Sequence, residues 1–141
     1  MAVWRELCFA PPFAGQLYFA YLGKKQNSSE AVRKFRNSPP DESVVEQISS
    51  VTERMLRSVT ATEFCALMEE HEQIVASALQ LEKVKDLHFN DFPGAVKSLG
   101  AWGGDFVLAL AEKKSFDTRK YLNDKGFTTV FSFDEVLFKT T

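Results

Sequence analysis

The chain has 141 residues, of which 45% are hydrophobic and 26% charged, the balance of one globular domain with room for a single sizeable core. Its formal charge of -2 comes from 17 basic and 19 acidic residues spread along the sequence, so no global field favours nucleic acid or an anionic membrane, and any anion site has to be local. No apolar run approaches the roughly 20 residues of a membrane span, and the N-terminus lacks the basic start and apolar core of a signal peptide, so the expectation is a cytoplasmic protein with neither membrane nor nucleic acid as partner.

In chain order, "GQLYFAYLG" (residues 15–23) is an unbroken aromatic and aliphatic run between glycines, which predicts a strand central in a sheet and buried on both faces. "NSSEAVRKFR" follows with Asn27 three residues before Glu30, a capping box that predicts a short helix ending before Pro39 and Pro40. Val44, Val45, Ile48, Val51, Met55, Leu56 and Val59 then recur at helical steps and predict an amphipathic helix over residues 42–57. Thr60 and Glu63 form a second capping box. Beyond it Phe64, Leu67, Met68, His71, Ile74, Val75 and Ala78 trace the apolar stripe of a longer helix, and the two helices are expected to pack as an antiparallel pair.

Residues 81–93 carry no clear period. "GAVKSLGA" and "DFVLALAEK" read as two strands joined by the loop "GAWGGD", a hairpin with a glycine-rich turn. Asp117 caps a helix of two to three turns that stops at Gly126, and "FTTVFSF" closes the chain as a strand. The order of strand, helices, hairpin, helix and strand predicts an α+β fold: one domain over residues 1–141, with an antiparallel sheet and helices packed on one face.

Three stretches resemble the GHMP small-molecule kinases, the family of galactokinase, homoserine kinase, mevalonate kinase and phosphomevalonate kinase. "YLGKKQNSSEAV" resembles the family's strand ending in a glycine, a basic or polar pair and a Ser/Thr-capped helix; "LGAWGGDFVLALA" resembles the family's third motif, a glycine- and alanine-rich run before a buried strand; "DTRKYLNDKGFTTVFSF" resembles its closing helix and strand. The likeness spans nearly the whole chain but only the second half of a typical member, and it is nearest to the bacterial GYDIA branch. It implies a ferredoxin-like fold. The family's nucleotide-binding loop, rich in Pro, Gly and Ser, has no counterpart in residues 1–141. The resemblance therefore implies a substrate-side domain that is inactive alone and partners a nucleotide-binding domain or subunit. ATP and magnesium would act in the complete two-domain enzyme, with no cofactor on this chain by itself, and the acceptor would be a small metabolite, mevalonate-like among the options.

The candidate site residues follow from the same stretches. Gly100, Ala101, Trp102, Gly103, Gly104 and Asp105 form a loop that either only turns the hairpin, with Gly103 or Gly104 in a conformation a β-carbon would strain, or also borders a substrate or phosphate. Trp102 and Asp105 add bulk and negative charge and make it a poorer phosphate cradle than a run of glycines. Lys24 and Lys25 precede a helix N-terminus and are either a solvated pair or an anion site, with Gln26 and Ser28 as further donors. His71 and His88 have no second ligand at metal spacing, no Ser-His-Asp arrangement is legible, and Cys8 and Cys65 read as buried thiols; metal sites are expected to be none and the catalytic residues stay unassigned. The apolar start, with Trp4, Leu7, Phe9 and Phe13, would lie against a second domain or a second copy of the chain. The rival reading is a noncatalytic ferredoxin-like module that binds a small ligand or dimerises.

Overall fold

The computed structural model describes residues 9–23, 37, 41–99 and 106–138. The helix expected after Asn27, the pair Lys24 and Lys25, Cys8, and the loop from Gly100 to Asp105 lie outside them.

Four strands, β1 (Leu17–Tyr21), β2 (Gly94–Ser98), β3 (Phe106–Ala111) and β4 (Val130–Ser132), form one antiparallel sheet in the order β2-β3-β1-β4. This is the ferredoxin-like order, and the fold is α+β. β1 is central, as its unbroken apolar run implies, paired to β3 from Leu17↔Leu110 to Tyr21↔Phe106 and to β4 through Ala20↔Val130. β2 and β3 are the two arms of the expected hairpin, and the amide of Leu99 still donates to Phe106 O at 3.0 Å beyond the last strand residue.

Five helices accompany the sheet among the described residues: α1 (Glu42–Arg57), α2 (Ala61–Leu79), α3 (Val84–His88), α4 (Thr118–Asp124) and α5 (Phe133–Phe138). Strand side chains alternate between faces, so the two faces can be separated by residue. Leu17, Ala95 and Leu110 point to one face and pack with Phe13 and with Phe64, Cys65 and Met68 of α2. Ala20, Val96, Val107, Ala109 and Val130 point to the other and pack with Val84 of α3, Phe89, Phe92 and Leu122 of α4. A central strand that is apolar on both sides needs cover on both sides, so the helices divide between the two faces instead of keeping to the one expected.

The helix ends follow local chemistry. Thr60 Oγ1 accepts from the amide of Glu63 at 3.1 Å at the start of α2, and Asp117 Oδ1 accepts from Lys120 N at 3.0 Å at the start of α4. Gly126 follows α4 with φ of +99°, and the bonds Gly126 N to Asn123 O and Phe127 N to Leu122 O close the helix as a Schellman turn. Thr60→Ala should remove one of these caps and lower stability by about 1 kcal/mol, read as a shift of the urea midpoint with unchanged slope.

Three further sequence expectations change. The closing strand is cut to Val130–Ser132, because Ser132 starts α5 with a reciprocal box: Ser132 Oγ accepts from Glu135 N at 3.2 Å, and Glu135 Oε1 accepts from Ser132 N at 3.3 Å. In α1 only Val51 is buried, while Val45 and Leu56, and Val59 just beyond the helix, are exposed, because among the described residues this helix packs on α2 and reaches no strand with an extensive contact. In α2 the buried line runs through Phe64, Cys65, Leu67, Met68, Glu72 and Ala76; Glu72 lies inside, and His71 is half-buried at its margin.

Candidate functional site

The described residues that flank the two predicted site segments meet at one end of the sheet. β1 and β2 both run antiparallel to β3 and therefore parallel to each other, so Tyr21 and Ser98 end their strands on the same side. Tyr21 pairs with Phe106, and Leu99 hydrogen-bonds Phe106. The chain thus leaves β1 toward Lys24 and Lys25, and β2 toward Gly100–Asp105, from one edge. Neither segment belongs to the described residues, and no contact is assigned to either.

Just inside that edge is a buried polar group that no sequence motif announces. Glu72 is 1% exposed. Its carboxylate accepts from Ser98 N at 3.2 and 3.3 Å, from Ser98 Oγ at 3.2 Å and from Val84 N at 3.4 Å. Lys97 Nζ stands 3.9 Å from Glu72 Oε1 and donates to Ser98 O at 2.9 Å. Burial pulls the Lys97 ammonium below the usual lysine range, and the neighbouring Glu72 charge opposes that pull. A buried charge persists only with partners, and this one has hydrogen bonds from two separate elements.

Two concavities adjoin the group. A cleft of about 230 Å³ on one side is lined by Glu69, Glu72, Lys83, Lys85, Asp86 and Asn90. A smaller pocket of about 100 Å³ is lined by Leu22, Leu81, Glu82, Val84, Leu87, His88 and Ser98. Lys85 Nζ is engaged with Gly94 O at 2.6 Å and pairs with Glu69 at 3.6 Å. With its lone pairs taken by backbone and hydroxyl donors, Glu72 is arranged to hold structure and not to move a proton.

The remaining titratable candidates have bland surroundings. His88 is exposed, with its ring 6.0 Å from that of Phe89. His71 Nδ1 is buried with no hydrogen-bond partner among the described residues, and burial, with the Lys97 charge second, lowers its pKa. A folded-state pKa below the unfolded one gives stability that is present at neutral pH and lost as pH falls through the folded value. His71→Gln should therefore lose less stability than the parent between about pH 7 and pH 5, measured by urea unfolding at each pH. Cys65 donates to Leu110 O at 3.2 Å, and burial pushes its thiol up to about 11, the opposite of an activated nucleophile. Among the described residues no group of three or more His, Cys, Asp or Glu side chains is placed to hold a metal ion, and no helix is long and apolar enough to cross a membrane.

Glu72 had a legible signal: it stands four residues after Met68 and four before Ala76, on the line that continues from Cys65. In the acidic run "EEHE" it reads instead as one more solvated charge.

No protein-family profile and no curated protein matches the sequence. Among solved structures the chain is similar to a Lin0012 protein from Listeria innocua, with a TM-score of 0.67 at 15% identity over 83% of this chain. The match covers 37% of the Listeria chain, so the 141 residues correspond to well under half of that protein's length. A likeness at this identity speaks for a shared fold.

Proposed function

We propose that the chain is the substrate-side domain of a GHMP-type kinase, which transfers the γ-phosphate of ATP to a hydroxyl or phosphate of a small metabolite. One observation supports this most: in a sheet of ferredoxin-like order, the strand leading to Lys24 and Lys25 and the hairpin arm leading to Gly100–Asp105 end on the same edge. Two ammonium groups and a glycine-rich loop that start from one edge suit an anionic acceptor held for attack.

In this reading ATP and magnesium are bound chiefly by a nucleotide-binding domain or subunit that lies outside these 141 residues. Phosphoryl transfer needs a cradle for the β- and γ-phosphates, ligands for magnesium and an aligned acceptor. This chain supplies the third requirement and, through Lys24 and Lys25, part of the charge neutralisation. A phosphorylated or carboxylated acceptor suits the lysines, and a mevalonate-like acid is the member of that class we propose to try first.

The test compares the purified chain with the chain combined with its nucleotide-binding half. The chain alone is expected to give no turnover in a coupled ADP-release assay. The combination should phosphorylate one of a panel of small hydroxy acids and phosphomonoesters, and Lys24→Ala with Lys25→Ala should cut kcat/KM by about 100-fold. Turnover by the chain alone, or none by the combination across the panel, would overturn the reading. The exposed Val45 and Leu56 of α1, with Val59 just beyond it, favour a second reading, a noncatalytic module that binds a small ligand or self-associates. Sedimentation of the chain alone, showing a stable dimer that ATP and acceptors leave unchanged, would support it.

A further inference from the structure

Glu72 accepts hydrogen bonds from places that have no other way to satisfy them. Val84 is the first residue of α3, where amides lack intrahelical acceptors, and its N-cap, Lys83, makes no side-chain cap. Ser98 is the last residue of β2, and β2 is an edge strand of the sheet among the described residues, so no neighbouring strand there accepts from its outer side. One carboxylate in the middle of α2 receives both amides and the Ser98 hydroxyl. Lys97 closes the group by approaching Glu72 and donating to Ser98 O. Ser98 and Val84 also share the wall of the small pocket that Leu22 completes at the end of β1.

We infer that Glu72 is a positioning residue, a latch that fixes where the chain leaves β2 after Leu99 and ties that point to the start of α3. Val84 and Ser98 are fourteen residues apart in sequence, yet through this carboxylate they open and close as one unit. An ordinary buried ion pair would support the whole core evenly, whereas a latch governs these two places and leaves the far end of the same hairpin alone. The inference rests on the hydrogen bonds and stands apart from the kinase reading. If that reading holds, the latch sets the departure of residues 100–105.

Amide hydrogen exchange followed by NMR on the 141-residue chain tests it. In Glu72→Gln, a neutral side chain with a single acceptor oxygen, the amides of Val84, Ser98 and Leu99 should exchange about 10-fold faster or more. The amides of Glu112, which bonds Pro93 O, and Phe127, which bonds Leu122 O, should keep their rates. Ser98→Ala deletes only a hydroxyl and should still speed exchange at Val84 by several-fold, an effect carried across the carboxylate. Unchanged protection at Val84 and Ser98 in Glu72→Gln, or the same acceleration at every amide, would overturn the latch. If Glu72→Gln does not fold, Ser98→Ala decides: an unchanged Val84 rate refutes it.

Discussion

Gly94→Ala should destabilise the protein by about 3 kcal/mol, the upper end of what an unrelieved overpacking costs. A β-carbon on Gly94 would stand 2.1 Å from the Leu110 carbonyl oxygen and 2.8 Å from Ala111 Cα. Both are backbone atoms of β3, an inner strand held by β1 on its other side, so neither can rotate away. Relief would require β2 to move off β3 and loosen the pairs Gly94↔Ala111 and Ala95↔Leu110. That movement is opposed by Lys85, which donates to Gly94 O, and by the bond from Glu112 N to Pro93 O. A glycine replaced by alanine where the backbone permits it commonly gains about 0.4 to 1 kcal/mol from the unfolded chain, so here the clash reverses the sign. Gly15 is the control: a β-carbon added there would meet nothing within 4 Å, and Gly15→Ala should be neutral or slightly stabilising. Urea midpoints followed by circular dichroism separate the two variants. Equal midpoints would mean that the strands part more easily than this geometry implies.

What the sequence discloses and what it hides divide along a physical line. Signals that act over a few residues were legible: the apolar run of β1, the periodicity behind α1 and α2, the Thr60 and Asp117 caps, the Gly126 stop and the hairpin of β2 and β3. Each is set by backbone conformation or by a side chain bonding its own neighbourhood. α3 has five residues, too few for a period to appear, and it owes its first turn to Glu72, twelve positions earlier in the sequence. α5 did have a local signal in Ser132 and Glu135, but the aromatic run of Phe127, Phe131 and Phe133 reads more strongly as strand.

The long-range facts were hidden for a different reason. Whether a glutamate is solvated or buried depends on what the other elements offer it, and Ser98 comes to Glu72 only when the sheet forms. The same holds for α1, whose apolar stripe is real but among the described residues packs chiefly on α2, leaving Val45, and Val59 just past its end, in solvent. The close strand approach at Gly94 leaves no local mark in the sequence, whereas the cluster at Gly100, Gly103 and Gly104 does. For the candidate site, the sequence supplied the residue types at Lys24, Lys25 and 100–105, and the fold adds that their flanking strands end on one edge.

Phe89→Ala should cost about 3 to 5 kcal/mol, the largest loss expected from any truncation here. Phe89 is fully buried, the largest such side chain among the described residues, and it sits in the core on the α4 face with Ala109 and Leu122. Its ring is 5.4 Å from that of Phe127, the residue that completes the Schellman turn of α4. It also ends α3, with its amide bonded to Lys85 O at 2.8 Å and its carbonyl accepting from Phe92 N at 3.0 Å. Truncation would thus open a cavity between two segments that meet through side chains. The surrounding strands are hydrogen-bonded in register and can collapse little, which puts the cost at the high end. Because α3 carries Lys85, Asp86 and the Val84 amide, the loss should spread to the cleft beside Glu72, whereas Leu122→Ala on the same face should leave exchange at Val84 close to that of the parent. Phe89→Leu, which refills most of the volume, should recover more than half of the stability. A Phe89→Ala midpoint within about 1 kcal/mol of the parent would mean that the 84–92 segment is not part of the cooperative core.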